Sequence, residues 1–320
     1  MRPPAFWAGS RDSAPAMALA PLGMLIGAIT VRRAARAGFR APVPVICCGN
    51  VTLGGAGKTI VALDLARRFA ATGRIVHILS RGYGGTARGP RRVTEEDDST
   101  AVGDEALLLA AVAPTWIGAD RAASAGAAVA DGADILLLDD GLQNPTLAKN
   151  LSLMVIDGGF GFGNARVFPA GPLREPIMEA ASRCQAAVLI GPDRTDAATM
   201  LPASLPVLRA RLIPGPEIAA FVGCSVLAFA GIGRPEKFFA TLTEAGVRVV
   251  ATAAFADHRR YRTAEIERLL AHAARENAVP VTTEKDSVRL PPSLRGRVAV
   301  IGVSLLWDDA DALERILHSA

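Results

Sequence analysis

Residues 49–59 read Gly-Asn-Val-Thr-Leu-Gly-Gly-Ala-Gly-Lys-Thr, and an apolar run, Val43–Cys48, comes directly before them. Glycines at a strand-to-helix turn let backbone N–H groups face phosphate oxygens, and the start of the next helix adds partial positive charge. In such loops the lysine reaches the β and γ phosphates, and the following hydroxyl binds Mg²⁺. The stretch predicts a P-loop for ATP and Mg²⁺, although Thr52 replaces the first glycine of the strict pattern. The predicted nucleotide-binding residues here are Asn50, Thr52, Leu53, Gly54, Gly55, Ala56, Gly57, Lys58 and Thr59.

Apolar runs and helical patterns alternate along most of the chain. Continuous apolar strands are typical of a parallel sheet that is covered on both faces, and intervening helices make it a βαβ arrangement. We therefore predict an α/β fold, a P-loop NTPase-type parallel sheet covered by helices. The predicted strands are Val43–Cys48, Ile75–Ser80, Ile135–Leu138, Leu153–Ile156 and Ala187–Ile190, and the helices include Thr59–Ala71, Asp104–Val112 and Arg121–Ala130.

A proline-rich stretch ending in Pro214-Gly215-Pro216 predicts a domain boundary. Beyond it, strand and helix patterns resume and predict a second, smaller α/β domain, with Val298–Val303 as its last strand. We predict three parts: an N-terminal membrane-associating segment in residues 1–41, a P-loop ATP-binding domain in residues 42–216, and a smaller domain in residues 217–320 that closes over the active site.

Composition excludes several classes of protein. Half of the 320 residues are apolar and 21% are charged, which is typical of a globular chain. The net charge is only +4, and no basic run is interleaved with aromatic residues, so nucleic acid is not an expected partner. The four cysteines show no CxxC spacing, which indicates reduced thiols in a cytosolic protein.

Residues 14–31 carry no charge, and Arg32, Arg33, Arg36 and Arg40 follow them. A signal peptide would export the P-loop, and its charged end would be the other one. A spanning helix is at the short limit of about 18 residues and contains Pro15 and Pro21. Two interpretations stay open: an interfacial helix whose arginines meet anionic headgroups, and a buried packing helix.

Asp139-Asp140-Gly141 ends the apolar run Ile135–Leu138. A carboxylate at the carboxyl edge of the sheet lies beside the P-loop, where it can hold Mg²⁺ directly or through water. A capped turn is the alternative. The guanine-reading pattern [NT]KxD does not occur in Thr283-Glu284-Lys285-Asp286, so ATP is favoured over GTP.

Taken together, short motifs along almost the whole chain resemble the tetraacyldisaccharide 4'-kinase family. Three residues depart from the usual family pattern: Leu142 and Asn144, which flank Gln143, and Arg259, which follows His258. The motifs that carry the resemblance are GNVTLGGAGKT, Ser80–Gly85, Gly103-Asp104-Glu105, Asp139–Gln143, Pro169–Pro176, Gly231–Pro235, Phe238-Phe239, Asp257-His258 and Thr283–Asp286.

The resemblance implies a two-domain α/β kinase with the active site between the domains. Its reaction would transfer the γ-phosphate of ATP to the 4'-hydroxyl of a tetraacylated glucosamine disaccharide 1-phosphate, in lipid A synthesis of Gram-negative bacteria. The enzyme would be a monomer on the cytoplasmic face of the inner membrane, held peripherally or by a single N-terminal anchor. The alternative is a membrane-bound P-loop ATPase switch that yields no lipid product.

Roles for individual residues combine phosphoryl-transfer chemistry with this resemblance. Lys58 and Arg174 would place positive charge on the moving phosphate. Glu175 would join Thr59, Asp139 and Asp140 as a metal ligand; a surface ion pair with Arg174 is the alternative. Tyr83, in a glycine-rich loop, would contact nucleotide or substrate, or else anchor a flexible turn.

We expect the general base to be an aspartate of the P-loop domain that works with a histidine of the smaller domain. Asp104 follows Gly103 at the start of a predicted helix, and His258 lies in a polar loop of the smaller domain. Asp104 would accept the proton of the attacking sugar hydroxyl, and His258 would orient it. A plain helix cap is the alternative role for Asp104.

Overall fold

The computed structural model describes residues 4–232, 235–256 and 259–318. The described helices are α1 Ala14–Ala34, α2 Lys58–Ala71, α3 Ser99–Val102, α4 Asp104–Ala110, α5 Arg121–Ala130, α6 Ile177–Ala181, α7 Pro235–Glu244, α8 Thr263–Arg275, α9 Glu284–Ser287, α10 Pro292–Arg295 and α11 Ala310–Leu317. The strands are β1 Val45–Gly49, β2 Val76–Ser80, β3 Arg91–Arg92, β4 Thr115–Ile117, β5 Ile135–Asp139, β6 Leu151–Asp157, β7 Ala186–Ile190, β8 Val207–Pro214, β9 Ser225–Ala230, β10 Arg248–Ala254, β11 Val279–Thr283, β12 Ala299–Ile301 and β13 Val303–Trp307.

Nine strands form the larger sheet in the order β13-β8-β7-β6-β1-β5-β2-β4-β3. Its interior pairings are parallel, whereas β13 and β3 pair antiparallel at the two edges. Strands β1, β2, β5 and β7 are buried along their full length, because helices cover both faces of the sheet. The predicted α/β fold with a large parallel sheet is confirmed.

A second sheet has four parallel strands in the order β10-β9-β11-β12. Helix α8 packs Ile266, Leu270 and Ala273 against Leu227 and Phe229 of β9 on one side. Helix α7 packs Phe238 and Leu242 against the opposite side. This four-stranded unit is the smaller α/β unit that the sequence predicts, and it is called the small unit below.

The end of the chain returns to the larger sheet. Strand β8, which lies in the stretch read as a boundary, belongs to that sheet, and β13 pairs antiparallel with it. The predicted single strand Val298–Val303 is therefore two strands in different sheets, divided at Gly302. Helix α11 then packs Leu313 and Leu317 into the core beneath α2. The expected domain of residues 217–320 thus differs from the structure after residue 302, because the apolar positions of β13 and α11 complete the larger core.

The fully buried residues of helix α1, which packs on the larger unit, are all small: Ala16, Gly23 and Gly27. A Cβ built on Gly23 would lie 2.6 Å from the carbonyl oxygen of Val167, so this side contacts the body closely. Met17, Leu22, Met24, Leu25 and Ile29 are exposed. By length and composition, and within the described residues, it is the one helix that could cross a membrane, and 17% of its most apolar window is buried. The interpretation as a buried packing helix therefore does not describe α1.

Candidate active site

The P-loop connects β1 to α2 as predicted. Gly57 has a φ of +88° directly before Lys58, the first residue of α2, which is a backbone conformation that favours glycine. A Cβ built on Gly54 or Gly55 meets no described atom within 4 Å. The loop therefore leaves open space beside its backbone, as a phosphate-binding loop requires.

Asn50 is fully buried and holds the loop from inside. Its Nδ2 donates to the carbonyl oxygen of Thr52 at 2.9 Å and to the hydroxyl of Thr52 at 3.0 Å. The backbone oxygen of Asn50 accepts a hydrogen bond from Nε2 of Gln143 at 3.0 Å. Asn50 thus helps to fix the shape of the loop, and its contact with the nucleotide stays a prediction.

Asp139 lies at the end of β5 beside Thr59. The hydroxyl of Thr59 donates to Oδ2 of Asp139 at 3.3 Å, and Oδ1 is buried without a hydrogen-bond partner among the described residues. Burial, together with the negative charge of Glu105 and against the positive charge of Lys58, raises the pKa of Asp139 to about 7. A buried acceptor without a donor costs free energy unless a ligand satisfies it.

Asp140 has a φ of +56° and turns back toward the P-loop. The carboxylate lies 3.8 Å from Nζ of Lys58, and the guanidinium of Arg174 binds it through two bonds of 2.8 and 3.1 Å. The structure therefore brings Lys58, Asp140 and Arg174 together, with Asp140 bound by side-chain cations in place of the metal ion predicted for it. Two cations on one carboxylate leave positive charge in excess where phosphates would bind.

Glu175 does not face this cluster with a free carboxylate. The side chain is fully buried; Oε1 accepts from Gln143 at 2.9 Å, and Oε2 accepts from Arg183 at 2.6 Å. Both oxygens are therefore occupied by donors. This arrangement favours a positioning role for Glu175, through Gln143, over the predicted role as metal ligand.

Tyr83 is 76% exposed in the glycine-rich loop after β2. A Cβ built on Gly103 would lie 2.3 Å from the backbone oxygen of Tyr83, so this loop packs directly on the turn before α4. The structure brings the backbone of Tyr83 to the start of α4 and leaves its ring at the surface.

Asp104 is the first residue of α4, and an arginine of the small unit binds its side chain. Nε of Arg289 donates to Oδ2 of Asp104 at 2.6 Å, across 185 residues of sequence. The sequence did not predict a role for Arg289, because no local pattern links it to Asp104. The one feature that could have indicated it is its position three residues after Asp286, the last residue of the motif Thr283–Asp286. His258, the predicted partner of Asp104, lies outside the described residues.

The residues at the P-loop fit a Mg²⁺–nucleotide. Magnesium in such sites keeps waters and takes one or two carboxylates together with phosphate oxygens. The unpartnered oxygen of Asp139 and the hydroxyl of Thr59 match that set. Within the described residues no group of three or more His, Cys, Asp or Glu side chains is arranged to hold a metal ion, so phosphates and water would have to supply the remaining ligands.

The chain matches known proteins along nearly its whole length. The family model described as Tetraacyldisaccharide-1-P 4'-kinase matches residues 15–320. The chain belongs to this kinase family. Among its relatives, the tetraacyldisaccharide 4'-kinase of Gluconacetobacter diazotrophicus is 55% identical over 318 residues, which cover 99% of this chain and 97% of the relative. That of Rhodospirillum centenum is 52% identical over 323 residues, or 99% and 96% of the two chains.

The fold of this family member matches a solved structure as well. The crystal structure of the "apo" form of LpxK from Aquifex aeolicus, in complex with ATP, superposes with a TM-score of 0.75. Sequence identity is 23%, and the match covers 95% of this chain and 98% of the other. At that identity the match shows the shared fold.

Proposed function

We propose that this protein is an ATP-dependent lipid kinase that transfers the γ-phosphate of ATP to the 4'-hydroxyl of tetraacyldisaccharide 1-phosphate in lipid A biosynthesis. Membership of the kinase family supports the substrate. The observation that carries the chemistry is the cluster at the P-loop, where Lys58 and Arg174 meet Asp140 beside the open loop.

Each residue of the cluster has one task. Lys58 and Arg174 offset the charge that spreads over the transferring phosphate, while Asp140 holds both cations in place. Thr59 and Asp139 would hold Mg²⁺, which when bound neutralises phosphate charge and aligns the oxygens. Asp104 would accept the proton of the sugar hydroxyl, with His258 as its partner.

The membrane is the proposed location of the lipid substrate. Exposed apolar residues of α1, followed by Arg32, Arg33, Arg36 and Arg40, support an anchor whose arginines meet anionic headgroups. The active site would then lie on the cytoplasmic face of the inner membrane, where ATP is available.

A direct assay tests the proposed reaction. Purified protein, ATP, Mg²⁺ and tetraacyldisaccharide 1-phosphate are incubated in mixed micelles, and the lipid mass is measured. We expect one added phosphate, and no product from Lys58→Ala, which removes the cation nearest the phosphates but stays folded. Lys237→Ala, at an exposed lysine of α7, is the matched control. ATP hydrolysis without a phosphorylated lipid would instead support the ATPase-switch alternative.

A further inference from the structure

Arg289 joins the small unit to the larger one at Asp104. The side chain is completely buried; Nε binds Oδ2 of Asp104 at 2.6 Å, and Nη1 donates to the carbonyl oxygen of Gly231 at 2.8 Å and to Oδ1 of Asp286 at 3.2 Å. We infer that Arg289 is a positioning residue that orients Asp104 for catalysis from the small unit. The inference rests on the proposed role of Asp104 as general base.

The guanidinium is itself held by a buried carboxylate. Asp286 is fully buried, and its Oδ1 accepts hydrogen bonds from the backbone N of Gly231 at 3.0 Å and from the hydroxyl of Tyr261 at 2.8 Å. Its Oδ2 is bound to the hydroxyl of Thr283 at 2.7 Å. Burial raises the pKa of Tyr261, so this phenol remains a donor. The network leaves Arg289 little freedom to move.

The larger unit fixes the other side of Asp104. The residue before it, Gly103, has a φ of +88° and contacts the backbone of Tyr83 so closely that only glycine fits. The backbone of Asp104 is therefore set by the glycine-rich loop, and its carboxylate is set by Arg289. Contact between the two units would thus place Arg289 on Asp104 and orient the general base. Separation of the units would remove Arg289 from the Asp104 carboxylate.

The same network reaches both sides of His258 in the sequence. Tyr261 follows His258 by three residues, and the backbone oxygen of Ala256 would lie 3.1 Å from a Cβ on Gly231. Asp286 binds both Tyr261 and Gly231. Arg289 and Asp286 therefore form one buried group in the small unit. This group binds Asp104 directly and also holds residues on either side of His258, the proposed partner of Asp104.

A planar guanidinium suits this position better than an ammonium. Arg289 makes its bonds in three directions from a rigid fork, whereas lysine offers a single point of charge. Removing the cation altogether leaves the fully buried Asp286 and the partly buried Asp104 without the positive charge that both contact, which is costly for folding. Arg289→Met therefore tests the loss of the contact, and Arg289→Lys keeps the charge if the first variant unfolds.

The experiment is a double-mutant cycle on the lipid-kinase reaction. Arg289→Met and Arg289→Lys are each made in the wild-type chain and in Asp104→Ala, and kcat, KM for ATP and Tm are measured. We expect Arg289→Met to lower kcat by about 10²-fold, because small misplacement of a reacting group costs that much. KM for ATP should not change, Arg289→Lys should recover part of kcat, and neither substitution should lower kcat further in Asp104→Ala.

Arg295→Met is the matched control. This guanidinium also belongs to the small unit and donates to the backbone oxygens of Leu290 and Val288, so its loss affects local folding without touching α4. It should lower Tm and leave kcat unchanged. Losses at Arg289 that add fully to those of Asp104→Ala, or that appear only in KM, would overturn the inference while leaving the kinase reaction intact. A wild-type chain that forms no phosphorylated lipid would overturn the proposed function first.

Discussion

Adjacent carboxylates at the end of β5 differ because of where their side chains point. Asp139 is buried with an unpartnered oxygen, and burial raises its pKa to about 7. Asp140 turns out of the strand with positive φ and is bound by Arg174. One residue is therefore suited to take up a cation, and the other already holds two side-chain cations. The sequence predicts both as metal ligands, because a strand pattern does not show how a turn directs consecutive side chains.

Glu175→Gln separates the two roles considered for Glu175. If Glu175 positions Gln143, the amide variant keeps one acceptor and loses the charge that pairs with Arg183. We expect a loss of about 1–3 kcal/mol in the free energy of unfolding, the usual range for an unsatisfied buried group.

The Mg²⁺ concentration for half-maximal activity shows whether Glu175 is a positioning residue or a metal ligand. It should stay at the wild-type value in Glu175→Gln, whereas Asp139→Asn should need much more Mg²⁺. A large rise in the Mg²⁺ requirement of Glu175→Gln would restore its role as a metal ligand.

His77 in β2 predicts a dependence of stability on pH. Trp116 Nε1 donates to its Nδ1 at 3.2 Å, so the ring must be neutral, and burial lowers the pKa of His77 although Asp131 opposes this. Because the folded pKa lies below the unfolded value of about 6.5, the unfolded chain takes up the proton more readily. Stability from this group is fully present above the unfolded pKa and is lost as pH falls from there through the lower folded pKa.

Thermal unfolding at several pH values measures the effect. His77→Gln keeps an acceptor for Trp116 but does not titrate, so its Tm should fall less than that of the wild type between about pH 7.5 and 5.5. His272→Gln, at a partly exposed histidine of α8, should keep the wild-type fall. Equal falls in all three proteins would contradict the assignment.

Among the secondary-structure elements, those with a strong local pattern are the ones that sequence predicts. The P-loop, α2, α5 and the buried strands beside them match to within a few residues, because apolar periodicity and glycines fix them locally. The division of residues 298–307 between two sheets could not be predicted, since both strands are short and apolar. The pairing of Asp104 with Arg289 was equally hidden, because it depends on how two separate units pack.

Helix α1 carries the prediction about the membrane. Replacing the exposed Leu22, Met24, Leu25 and Ile29 by Ser should move the protein from the membrane pellet to the soluble fraction. Each such side chain contributes about 1.5–3 kcal/mol when fully withdrawn from water. The buried contacts through Gly23 and Gly27 remain, so the fold should be kept.

The control replaces the same number of exposed apolar residues outside α1 by Ser. Ile75, Leu212, Val222 and Leu306 are exposed apolar residues elsewhere in the molecule. Their replacement should leave fractionation unchanged. If both sets behave alike, general surface hydrophobicity rather than α1 holds the protein at the membrane.

On the scale of the whole molecule, the proposed catalytic residues are divided between two units. The larger sheet supplies the P-loop and the two aspartates of β5, while the small unit supplies Arg289 and the predicted His258. A partly exposed ion pair between Arg67 and Glu284 adds a second contact at 3.7 Å. Exposed pairs contribute little, so the buried contact at Asp104 is the one that should govern their association.

The pairing of β8 with β13 makes residues 215–302 a removable cassette. Pro214 and Val303 are register partners, and Gly215 N donates to Gly302 O at 2.8 Å, so the cassette leaves and re-enters the sheet at one point. Replacing it with a two-residue hairpin turn such as Asn-Gly should preserve the nine-stranded sheet. The shortened chain should still bind ATP by calorimetry, yet transfer no phosphate to lipid, because it lacks Arg289 and His258. In evolutionary terms, a nucleotide-binding protein could gain such a cassette in one insertion, without rearranging any strand that was already present.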